Sequence, residues 1–221
     1  MKKMLVIIVI LAMILVSMII YKNIAINKNK SVNVQEVEQI EEYISKIYMW
    51  KEITKEALPT FENINNANEL WVWEVIKKNL ETYETTYEEI QQKGKELFGE
   101  KFEKQIPKEG NDSFYYDKES NKYLATEIVL DEEEDSFLLK DIEKEGEKYK
   151  VKIIEYIEDY SEENKVIIRN LKEEEIGRVS TTDSETKIKE IVKNNKERFS
   201  QKNIEIKKEK DNLVIEKVNK E

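Results

Sequence analysis

Apolar and polar positions follow three different patterns along this chain, and each predicts a different kind of element. The first is an unbroken apolar run at residues 4–20, MLVIIVILAMILVSMII, seventeen positions without a charge, proline or glycine. As a helix rising about 1.5 Å per residue it spans roughly 26 Å, enough to cross a hydrocarbon core of about 30 Å with some thinning. The run continues into Tyr21 without the small-residue cleavage pattern of a signal peptide, and the chain has no cysteine to lipidate. The expectation is a transmembrane anchor over 1–21, a polar linker over 22–32 and one folded domain over 33–221. Lys2 and Lys3 precede the run, while Lys22, Lys28 and Lys30 follow it, so the lysine bias alone does not set the orientation. A short basic head before an apolar core is the usual export signal, and long domains translocate largely regardless of charge. The domain is therefore expected outside the cell membrane.

The second pattern repeats every three or four residues. Val34, Val37, Ile40, Ile44, Ile47, Trp50, Ile53 and Ala57 fall on one stripe, predicting a helix that stops before Pro59. Its register shifts after Ile47, and Lys51 falls at the next seam position, which favours a helix covering its own domain over a dimerising coiled coil. Asn66-x-x-Glu69 predicts the start of a second helix carrying Leu70, Val72, Trp73, Ile76 and Leu80. Trp71 and Trp73 point to different faces, so one of the two is expected near the surface. Thr86-x-x-Glu89 opens a third helix that ends at Gly99, with Gly94 on its buried face.

The third pattern alternates every second residue. It predicts hairpins at 113–117 with 122–130, 136–144 with 148–159, 165–170 with 176–180, and 203–208 with 213–218. Thr182-x-x-Glu185 interrupts them with an amphipathic helix carrying Ile188, Ile191 and Val192. Tyr149, Val151 and Ile153 keep one parity, whereas Ile154 and Tyr156 take the other; this predicts either a bulge or a strand buried on both faces. Helices first and hairpins afterwards define an α+β fold, with the helical stripes (Ile191 among them) packed on one face of a curved antiparallel sheet.

Composition removes several kinds of chemistry. Without histidine or cysteine, the ordinary zinc, copper, haem and iron–sulfur sites lack their ligands. Serine–histidine and cysteine–histidine catalysis are equally excluded within the chain. Its five glycines match neither a P-loop nor a dinucleotide fingerprint. The loop at 117–121 offers Asp117, Glu119 and Asn121 but lacks the central glycine and closing glutamate of a calcium loop. No cofactor is expected, and a net charge of −10 argues against a nucleic-acid partner.

The acids are themselves unevenly spread. Residues 131–160 hold twelve acids against five lysines, beginning with the run DEEED at 131–135. Such a run persists where water solvates it, so Glu132, Glu133 and Glu134 are expected in an exposed loop that contacts a cationic partner. Three functions remain open: a tethered, non-catalytic ligand-binding or interaction domain; an inhibitor or immunity protein against a basic toxin or hydrolase; and a glycan-active enzyme using carboxylates alone. The first is preferred. WVWEVIKKNLE, YEEIQQKGKELFGEKFEKQIPKEG and KIKEIVKNNKERFS resemble uncharacterised membrane-anchored or lipoprotein-like proteins of low-GC Gram-positive bacteria. The order of elements is similar to NTF2-like and cystatin-like domains, which implies a concave sheet face able to hold a ligand or partner and no particular chemistry.

Overall fold

A computed structural model describes residues 32–126, 133–182 and 185–221. The expected anchor lies outside these residues, as does the linker apart from Val32. Among the described residues no helix is long and apolar enough to cross a membrane.

The described chain is α+β. Helices α1 (Val34–Ile47), α2 (Lys51–Thr54), α3 (Glu69–Lys78) and α4 (Tyr87–Phe98) come first. Strands β1 (Glu84–Thr85), β2 (Phe114–Asp117) and β3 (Lys122–Ala125) form a small antiparallel sheet in the order β1-β3-β2. A larger antiparallel sheet contains β4 (Glu133–Glu145), β5 (Lys148–Asp159), β6 (Lys165–Arg169), β7 (Glu175–Ser180), β8 (Ser200–Glu209) and β9 (Asn212–Lys220). Helix α5 (Glu185–Asn194) lies between β7 and β8 in sequence.

The larger sheet branches at β5. One side of this strand pairs with β4 along its whole length. The other side pairs with β8 over residues 148–155 and with β6 over residues 157–159. Strand β5 is buried on both faces beyond Ile153, as one of the two sequence alternatives required. The bulge falls on its partner β4 instead, where Lys140 is skipped in the register between Leu139 and Asp141.

Opposite faces of β5 lead to two separate cores. Tyr149, Val151 and Ile153 join the main core with α1, α3 and α4. Ile154 and Tyr156 join Val166, Ile168, Ile188, Val192 and Phe199 beneath α5. The expectation that Ile191 shares one sheet face with the other helical stripes is therefore corrected. A Cβ at Gly177 would lie 3.0 Å from Ile191 Cγ2, so the glycine lets α5 sit close on β7.

Several helix boundaries also differ from the periodic stripe. Helix α1 ends at Ile47, well short of Pro59, because Tyr48 turns extended and α3 supplies donors to the free carbonyls. Lys78 Nζ donates to Ser45 O and Tyr48 O at 3.0 and 2.9 Å, and Asn79 Nδ2 donates to Lys46 O at 2.8 Å. The second helix starts after Asn68, whose side chain accepts from Trp71 N, so Asn66 is not its cap. Neither tryptophan reaches the surface: Trp71 Nε1 lies 3.1 Å from both Ile47 O and Ala57 O, and Trp73 packs edge-on against Phe102. The Thr86–Glu89 capping box forms as expected. The loop at 117–121 is an Asp117-centred turn, in which Asp117 accepts from Glu119 N, Ser120 N and Ser120 Oγ.

Candidate functional site

The end of α1 and the start of β4 meet in a cleft of about 410 Å³. Tyr48, Met49 and Trp50 enter it from the chain reversal after α1, Lys78 from α3, and Glu185 and Lys189 from α5. Glu134, Asp135, Ser136 and Phe137 line it from β4, with Tyr156 and Glu158 from β5.

Local chemistry fixes the wall on the α1 side. Asp135 Oδ2 accepts from Lys51 N at 2.6 Å, joining the first turn of α2 to β4. Its other oxygen is buried without a hydrogen-bond partner among the described residues. Burial pushes the Asp135 carboxyl above the ordinary aspartate value; the Lys51 amide and ammonium oppose the shift, while the charges of Glu155 and Glu133 add to it. The Tyr48 ring packs on Phe137 with centroids 5.1 Å apart, and its hydroxyl lies 3.3 Å from both Ser136 O and Glu155 Oε1. Beneath it, Glu155 Oε1 and Lys202 Nζ form a buried ion pair at 3.0 Å, and Lys202 also donates to Leu58 O. Burial and the Glu155 and Asp135 charges raise the Tyr48 phenol well above its usual value. Lys78 sits 5.2 Å from the centre of the Trp50 ring, and burial lowers its ammonium against the pull of Glu134.

The α5 side carries the free charge. Lys189 binds Glu185 at 2.8 Å and Glu41 at 3.6 Å, so those two acids are matched. Glu134 and Glu158 stand directly opposite each other in the β4–β5 register. Glu158 accepts from the Tyr160 hydroxyl at 2.8 Å, and neither carboxylate belongs to an ion pair among the described residues. Like charges directly across a strand pair repel.

The structure changes the reading of the acidic run. Glu132 lies outside the described residues. Glu133 and Glu134 belong to β4 rather than a loop, opposite Asp159 and Glu158. Arg169 holds Asp159 at 2.8 Å, so half-buried Glu133 does not face a bare carboxylate. Glu134 is exposed and lines the cleft. The other cleft residues were not singled out as a site in the sequence, since Tyr48, Trp50, Lys78 and Glu158 converge only through tertiary packing. The one local trace was the changed parity at Tyr156.

No group of three or more metal-ligating side chains forms among the described residues. No family model, curated protein or solved structure matches this chain.

Proposed function

We propose that this chain is a membrane-tethered, extracytoplasmic, non-catalytic interaction domain whose cleft takes a cationic group from a protein partner. The observation that carries this reading is the acid excess of the cleft, in which Glu41, Glu134, Asp135, Glu158 and Glu185 outnumber Lys78 and Lys189, with Glu134 and Glu158 opposed across the strand pair and in no ion pair among the described residues. An ammonium or guanidinium between these two relieves their repulsion. The tether rests on the apolar run at 4–20. Helix α1 carries the chain about 18 Å between residues 33 and 45, so the cleft wall at Ser45 is separated from the point where the chain enters the domain. An inhibitor of a basic hydrolase is one form of this reading. A carboxylate-only enzyme has less support, because Asp135 has one oxygen committed to Lys51 N and the other sealed from solvent.

Full-length protein in detergent, titrated with a lysine-rich peptide, should bind it with an affinity that falls as salt rises. Glu134→Gln with Glu158→Gln should weaken binding without unfolding the chain. Equal binding of a glutamate-rich peptide, or indifference to the double substitution, would refute the cationic reading. In cells, the protein should stay in the membrane fraction after carbonate washing and yield to external protease. Digestion only after lysis would reverse the orientation.

A further inference from the structure

Four consecutive residues of β4, 134–137, line the same cleft. Successive side chains of a strand point to opposite faces, so a cleft touching all four opens on the strand's edge. The two faces are separately occupied here: Phe137 packs towards the core under α1, and neighbouring Leu138 towards the core under α5. Among the described residues strand β4 pairs only with β5, leaving its other edge without a strand partner. Helices α1 and α5 flank that edge from opposite faces, and the Glu41–Lys189 pair passes round it to bound the cleft. Residues 134–137 thus share this slot with Glu41 and Ser45 of α1 and with Glu185 and Lys189 of α5.

We infer that the partner enters this slot as an extended, lysine-bearing segment and adds to the sheet alongside residues 133–137 of β4. This rests on the cationic reading of the cleft and specifies how the partner is held. Five residues of strand extend about 16 Å, and their outward amide and carbonyl groups offer main-chain hydrogen bonds that are indifferent to side-chain identity. Selectivity then comes from alternate side chains, with lysines reaching Glu134 and Glu158 on one face and apolar residues meeting Tyr48 and Phe137 on the other. A second copy of β4 is the wrong occupant. Its own Glu133, Glu134 and Asp135 would add acids to a slot already in acid excess.

The test compares two peptides of identical charge on full-length protein in detergent. One is an acetylated, amidated peptide of alternating lysine and valine, seven residues long. The other carries N-methyl groups on alternate backbone amides along the edge it would present to β4. N-methylation should weaken binding by about tenfold or more, since several main-chain bonds are lost together. The unmodified peptide should also slow hydrogen exchange at amides within 134–137. If both peptides bind equally, strand addition is wrong while the cationic cleft stands. If neither binds, both readings fall. Concentration-dependent dimerisation that the unmodified peptide cannot displace would give the slot to a second copy and overturn the proposal.

Discussion

The two halves of strand β5 differ more from each other than β5 differs from its neighbours. Over its first six residues, Tyr149, Val151 and Ile153 face the main core while Lys148, Lys150 and Lys152 face away from it. Each of these lysines stands opposite an acid on β4: Glu145, Glu143 and Asp141 respectively. Further partners reinforce the match, with Lys148 2.6 Å from Glu216 and Lys152 2.5 Å from Glu221. Over the last six residues, Ile154, Glu155, Tyr156 and Ile157 are buried in succession, and acid faces acid at Glu134 and Glu158. In the first half each lysine meets an acid; in the second, Glu155 and Asp159 are paired with Lys202 and Arg169, while Glu158 has no ion pair among the described residues and lies beside a cleft. Surface charge is thus matched across the first half of the β4–β5 pair and unmatched at Glu134 and Glu158, where we place a partner.

Substitutions can break this comparison in order of size. The largest effect belongs to the buried pair at the junction of the halves. Lys202→Met leaves Glu155 buried without a counter-charge and should cost about 3–5 kcal/mol in urea unfolding. Adding Glu155→Leu should recover most of that loss, because the penalty lies in the orphaned charge; a double variant no more stable than the single would show that packing dominates. Next, Ile154→Ala should cost about 2–4 kcal/mol, as large-to-small core changes do. A loss below about 0.5 kcal/mol would mean that α5 does not cover that face.

Glu134→Gln should act in the opposite direction. Removing one of two opposed carboxylates should stabilise the unbound protein by about 0.2–1 kcal/mol while weakening the lysine peptide. Loss of stability instead would show that the attraction between Glu134 and Lys78 outweighs the repulsion from Glu158. The smallest effect is expected at Lys150→Gln, below about 0.5 kcal/mol, since Lys150 meets its acids in solvent. A larger change there would erase the distinction between the halves.

How much could be read in advance follows the range of each interaction. Hairpin turns and capping boxes depend on residues a few positions apart. The β4–β5 turn at Gly146, the β8–β9 pairing and the Thr86–Glu89 box accordingly formed as expected. The end of α1 was misplaced because Lys78 and Asn79 cap it from some thirty residues away. The same distance hid the cleft: within the acidic run, Glu134 and Asp135 became part of it, and the reason lies in β5 and α1 rather than in the run.

By itself, the sequence determined the α+β order of elements, the strict alternation in the first half of β5, and the absence of histidine and thiol chemistry. Those features follow from local periodicity and side-chain inventory, which no fold can alter. Only the tertiary structure decided that β5 branches to β8 and β6, that α5 covers the face opposite α1, and that Glu134 meets Glu158 at an open strand edge. Periodicity states that a residue is buried or exposed; it does not state against what. Which charges remain unanswered depends on which strands and helices come together, and that is settled by packing across the whole domain.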